Sequence, residues 1–124
     1  MLLAHRSHQD IQIINLDGSL THSYAPRVRC QLTQLIEETS PFVILDLEKL
    51  QYADARGIST FITAANVAKS HYGELVLLNI TPAVRTIIEL TRLHHEIRIF
   101  ADKFAALEDL QQKALLSPNN KTTT

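Results

Sequence analysis

A single cysteine, Cys30, occurs among the 124 residues. Without a second thiol no internal disulfide can form, which excludes a disulfide-stapled small domain and fits a reducing compartment. Charge of one sign is missing too: 12 Lys and Arg against 13 Asp and Glu leave a formal net charge of -1. No broad basic field exists to draw in DNA or RNA, so direct nucleic-acid binding is not expected. Nor is there a long apolar run. No segment approaches the ~20 apolar residues of a bilayer span, and the opening Met1-Leu-Leu-Ala-His-Arg6 lacks the apolar stretch of a secretory signal. A cytoplasmic chain without a membrane span is the expectation.

Catalytic and metal-binding patterns are equally scarce. There are 6 histidines, but no Cys-x-x-Cys or His-x-x-x-His spacing links them. His94 and His95 are adjacent, so their side chains diverge on a helix or a strand, and His5, His8, His22 and His71 are scattered. No nucleophile-elbow or phosphate-loop spacing is found. The chain is therefore expected to be no enzyme and to need neither metal nor cofactor.

What is present is enough apolar material for one core: 45% hydrophobic against 20% charged residues. This points to one domain over 1–116 and a polar tail over 117–124. Ile11–Leu16 is a β-branched strand that the turn signal Asp17-Gly18 is expected to stop, and Leu2–Arg6 pairs with it in a hairpin. The period then becomes helical from Tyr24 to Glu38, with Ser23 as N-cap, Ala25, Val28, Leu32, Leu35 and Ile36 inward, and Ser40-Pro41 as the stop. Cys30 falls on the outer side of that helix. Phe42–Leu47 and Leu75–Ile80 are near-continuous apolar runs, as central strands covered on both faces require. Between them a helix over Gly57–Ser70 turns Ile58, Phe61, Ile62, Ala65 and Ala68 inward. Thr81 caps a helix with Pro82 in its first position and Val84, Ile87, Ile88 and Thr91 inside. Ile97–Phe100 is an edge strand, and Asp102 caps a last helix that buries Phe104, Leu107, Leu110 and Ala114. The order is β-β-α-β-α-β-α-β-α, an α/β fold.

The segment Val43-Ile-Leu-Asp-Leu-Glu-Lys-Leu-Gln-Tyr-Ala-Asp-Ala-Arg-Gly-Ile-Ser59 resembles the signature of STAS domains, anti-sigma-factor antagonists in particular. In that family a buried strand leads into an Asp-Ser-Ser-Gly-like box that opens the second helix. Asp54 and Gly57 match the box's Asp and Gly. Leu16-Asp-Gly-Ser-Leu20, Gly73-Glu-Leu-Val-Leu77 (with Tyr72 in place of one Gly), Ile80-Thr-Pro-Ala-Val84 and Leu90-Thr-Arg-Leu93 resemble further family segments in the right order. The resemblance runs from about Ile11 to Leu110. It implies a mixed sheet of four or five strands with helices mainly on one face. It also implies a regulatory binding domain that docks an anti-sigma factor, typically an ATPase-type serine kinase, and so frees a sigma factor.

One departure stands out. Phospho-switched members carry Ser or Thr just before the box glycine, where this chain has Arg56, which cannot accept a phosphoryl group. The resemblance thus implies docking through Asp54, Ala55, Arg56, Gly57, Ser59, Thr60 and Thr63, with His22 near the same surface, and control by some means other than phosphorylation at that position. Ser59 and Thr60 remain as displaced hydroxyls. On a helical wheel Arg56, Ser59, Thr63 and Ser70 form a polar stripe, with Thr60 beside it. A solvated face is the other reading of the same stripe. Alternatives within the fold are a constitutive scaffold and a subunit of a lipid-transport ATPase complex. A small enzyme or sensor with a pocket under the Asp54 loop has no support in the sequence.

Overall fold

The protein is described by a computed structural model that covers residues 2–8 and 10–116; the tail expected over 117–124 lies outside them. β1 (Leu2–His8) and β2 (Ile11–Leu20) form the expected hairpin, with Leu3 opposite Leu16 and His5 opposite Ile14. β3 (Phe42–Asp46) and β5 (Glu74–Leu78) lie parallel to β2, and the two-residue β6 (Ile99–Phe100) closes the far edge. The order across the sheet is β1-β2-β3-β5-β6.

Alternation along each strand divides the interior in two. Ile14, Leu16, Val43, Leu45, Leu75 and Leu77 face α1 (Ala25–Glu38), α2 (Ala55–Ser70) and α3 (Pro82–Leu90). Ile11, Ile13, Phe42, Ile44, Val76 and Leu78 face α4 (Lys103–Leu116) alone. The central strands read as unbroken apolar runs because helices cover both of their faces. Three helices against one makes the expected arrangement, helices mainly on one face.

β4 (Leu50–Ala53) was not expected, and it brings the strands to six instead of four or five. After Asp46 the chain bows out over Leu47–Lys49 and rejoins β2, with Gly18 opposite Leu50 and Leu20 opposite Ala53. Asp17-Gly18 therefore does not stop β2. Gly18 takes φ 119°, the ladder shifts register between Gly18 and Ser19, and the strand continues as a bulged one. This bulge hands β2 from β3 to β4 and carries Leu20 to the start of α2.

Other boundaries shift for local reasons. α1 is preceded by Tyr24, which makes no side-chain capping bond, so Ser23 is not its cap. α2 begins at Ala55, two residues before Gly57, because Asp54 caps it. Thr91 is exposed at the end of α3, its hydroxyl donating to Ile87 O at 2.9 Å. Phe104 is 78% exposed, and Ala106 takes the buried place on α4 expected for it. A turn of 3-10 helix over Leu93–His95 precedes β6. Tyr72, at the position where the resemblance leads one to expect glycine, adopts φ 64°. At the neighbouring Gly73 a Cβ would lie 2.1 Å from Pro41 O, which leaves room for hydrogen only.

α4 is tied to the sheet by charge as well as by apolar packing. Arg98 donates to Glu74 with Nε and Nη2, each at 2.8 Å, and also pairs with Asp109. Lys113 Nζ reaches Glu74 Oε1 at 2.6 Å. At Glu74 burial raises the carboxyl pKa, but the bonds from Arg98 and Lys113 outweigh it and the net shift is down. At Asp109 the Arg98 bond leads, against burial, and the shift is again down. A carboxylate whose folded pKa is depressed contributes stability that is complete above its ordinary value and lost as pH falls through the folded one. Acidification below pH about 4 should therefore loosen α4 before the β2-β3-β5 core, seen as earlier amide exchange in α4. In Arg98→Met that acid-dependent difference should shrink; an unchanged profile would contradict it.

Candidate functional site

The parallel strands β2 and β4 end side by side, and the helices that follow them, α1 and α2, begin together at the same end of the sheet. Asp54 joins the two starts. Its Oδ1 accepts from Gly57 N at 2.8 Å, the N-cap of α2. Its Oδ2 accepts from His22 N at 2.8 Å, which holds the loop leading into α1. Its own N–H donates to Leu20 O at 3.1 Å. One carboxylate thus fixes the end of β2, the entry to α1 and the first turn of α2. Burial pushes the Asp54 carboxyl up, but the Gly57 and His22 backbone bonds, with the nearby His22 charge, bring it below the usual carboxylate range. The His22 ring remains 67% exposed, with Nδ1 3.7 Å from Oδ2.

Of the residues expected at a docking surface, Ala55, Arg56, Ser59 and His22 are exposed at or near these helix starts, and Thr63 is exposed midway along α2. Gly57 and Thr60 are not. Gly57 is buried against Leu20, where a Cβ would lie 2.2 Å from the carbonyl oxygen, so its part is to permit this approach. Thr60 is 2% exposed, a correction to its place beside the polar stripe. Its hydroxyl donates to Arg56 O at 3.4 Å within the helix and its side chain faces the core. Ser59 Oγ also donates to Arg56 O, at 2.7 Å, but from the outer side.

A shallow groove of about 400 Å³ runs between α1 and α2, lined by Arg29, Cys30, Thr33, Glu37, Thr63 and Val67 among others. Cys30 is exposed, as its place on the outer side of α1 predicts. Two aromatics escaped the sequence reading. Tyr24, just before α1, is 41% exposed, and Tyr52, two residues before Asp54 on β4, is 48% exposed. The outward phase of Tyr52 becomes legible only once β4 is known to be a strand. Among the described residues no cluster of three or more His, Cys, Asp or Glu is placed to hold a metal. No helix among them is long and apolar enough to cross a membrane.

The STAS domain model matches residues 3–106. The chain belongs to the STAS domain family. A curated relative, the anti-sigma F factor antagonist of Paenibacillus polymyxa, is 24% identical over 105 residues, spanning 84% of this chain and 90% of the relative. Among solved structures, the anti-sigma factor antagonist SpoIIAA in its unphosphorylated form superposes with a TM-score of 0.76 at 19% identity, covering 90% of this chain and 97% of that one. An anti-sigma factor antagonist from Mycobacterium paratuberculosis gives 0.79 at 16% identity, with 89% and 93% covered. At such identities the structures speak for the STAS fold alone.

Proposed function

We propose that this STAS protein is an anti-sigma factor antagonist whose docking surface is the end of the molecule where α1 and α2 begin. The observation that carries the placement is the Asp54 staple. It costs no mobile parts and fixes a rigid platform of exposed side chains (Ala55, Arg56, Ser59 and Thr63, with His22 alongside) on the family's box segment. Pre-organisation of this kind favours association because little loop entropy remains to be lost. Tyr24 and Tyr52 add large amphipathic contacts of the sort that dominate interfaces.

The relative SpoIIAA is known in both unphosphorylated and phosphorylated forms. In this chain the position before the box glycine is Arg56, and Thr60 is buried. Binding is therefore governed by partner supply or competition and not by phosphate at that position. The fitting partner is an anti-sigma factor, of the ATPase-kinase kind or a relative of it. The test is reconstituted transcription with a sigma factor, its anti-sigma factor and this chain. The chain should restore sigma-dependent transcripts, and preincubation with ATP and the anti-sigma factor should leave that effect intact. No restoration with any anti-sigma factor of the source genome would overturn the antagonist reading. Loss of the effect after ATP, with phosphate on Ser59, would overturn the reading of its control.

A further inference from the structure

The two edges of the sheet are unlike. β6 is two residues long, whereas β1 is seven and pairs with β2 without a break, from Leu2 opposite Asp17 to His8 opposite Ile11. In an antiparallel ladder alternate residues turn their N–H and C=O groups away from the partner strand, so β1 presents a row of them at its outer side. Natural edges are blunted by shortness, proline, lysine or a bulge. β6 has the first of these, and β1, Leu-Leu-Ala-His-Arg-Ser-His, has none of them. Its main packing is against β2, and Ala4, His5, Arg6 and Ser7 are all exposed.

The flank beside this edge is open as well. Antiparallel partners share a face, so Arg6, opposite Ile13, looks toward α4, and His5, opposite Ile14, looks the other way. Between β1 and α4 lies a recess of about 520 Å³ where Arg6, Ser7, Lys103, Phe104, Leu107 and Glu108 meet. Phe104 is 78% exposed, a large ring that α4 does not bury against its own sheet. The recess carries charges of both signs, so it is not repelled by a copy of itself, as a patch of one sign would be.

We propose that β1 is a self-pairing edge, through which two copies of this chain join antiparallel into one continuous sheet. Symmetry limits the register. A two-fold axis perpendicular to the sheet keeps the faces of both copies in phase, and opposed side chains share a face, so one residue of β1 stands opposite itself. With His5, the middle residue, on the axis, the whole strand is used. Arg6 of each copy then stands opposite Ala4 of the other, whose small side chain leaves it room. Both α4 helices lie on the same face, and their recesses, each with Phe104 and charges of both signs, look toward one another across the axis. β2 runs in opposite directions in the two copies. The two Asp54 ends, fixed at the end of β2 by the bond to Leu20 O, therefore point apart and both stay open. This pairing does not depend on the antagonist reading.

The test is sedimentation of the full chain between about 1 and about 100 μM. The mass should rise from the 14.0 kDa of one chain toward twice that value. Ala4→Lys sets like charges opposite each other on both sides of the axis and should weaken association about tenfold or more. Ala4→Glu, facing Arg6, should strengthen it about threefold or more. Opposite effects at one exposed position do not arise from misfolding. In a Cys30→Ser background, His5→Cys should form an intermolecular disulfide on mild oxidation, because opposed Cα atoms lie about 4.5–5.5 Å apart, within disulfide reach. Ser7→Cys, also exposed, should not, since its two copies would lie about 14 Å apart along the ladder. A mass of one chain throughout, or a dimer indifferent to both Ala4 changes, would overturn the inference. Crosslinking through Ser7→Cys as readily as through His5→Cys would overturn it too, and so would masses beyond two chains, because a two-fold pairing closes on itself.

Discussion

Gly57→Ala is expected to lose about 3 kcal/mol of stability, the upper part of the range for overpacking a tight contact. The added Cβ would lie 2.2 Å from Leu20 O, 2.9 Å from Leu20 Cγ and 3.0 Å from the Leu20 carbonyl carbon. Two of these are backbone atoms, so no side-chain rotation relieves the overlap. Leu20 O is also the acceptor for Asp54 N. To make room, the first turn of α2 has to move away from β2, which stretches that bond and the Asp54–Gly57 cap together. Urea unfolding gives the loss as a fall in midpoint at unchanged slope. A loss below about 0.5 kcal/mol, the level of an ordinary surface substitution, would mean that α2 can pivot freely. The platform would then not be rigid in the sense that docking requires.

Asp54→Ala should lose about 2–3 kcal/mol, from two sources. The N-cap bond to Gly57 contributes about 1 kcal/mol. The bond from His22 N to an ionised acceptor contributes about 1.5 kcal/mol or somewhat more. Asp54→Asn can still accept from one of the two N–H groups and should lie between alanine and wild type. The pH dependence distinguishes this account from a general packing loss. The folded Asp54 carboxyl titrates below its ordinary value of 3.8, so its contribution is complete above that value and disappears as pH falls through the lowered one. The difference between Asp54→Ala and wild type should therefore be full at neutral pH and shrink in acid. A difference constant from neutral pH down to pH about 3 would show that the side chain acts by packing and not as a charged acceptor.

The elements legible in the sequence were those whose burial is uniform or whose ends carry a chemical stop. β3 and β5 stood out because both faces are covered, and α3 because Thr81 accepts from Val84 N and Pro82 fits the first turn. β4 did not, since four residues with buried ends at Leu50 and Ala53 and exposed Gln51 and Tyr52 between them carry no period. Gly18 read as a turn because the same glycine conformation serves a turn and a bulge, and only pairing decides between them. In the site, the spacing of Asp54, Arg56, Ser59 and Thr63 was readable from the box and the helical period. Thr60 was misplaced because a threonine hydroxyl satisfied by its own helix can be buried at little loss. The converse holds for Phe104, apolar yet outside. The contact of His22 with Asp54 joins residues 32 apart in sequence, and no local pattern announces it.

The most direct test of the docking account is a map of amide shifts in the labelled chain as unlabelled anti-sigma factor is added. The account predicts that the largest changes fall on His22, Asp54, Ala55, Arg56, Ser59 and Thr63, with Tyr24 and Tyr52 beside them. Changes confined instead to α4, on the opposite face of the sheet, and to the edge strand β1 would contradict it.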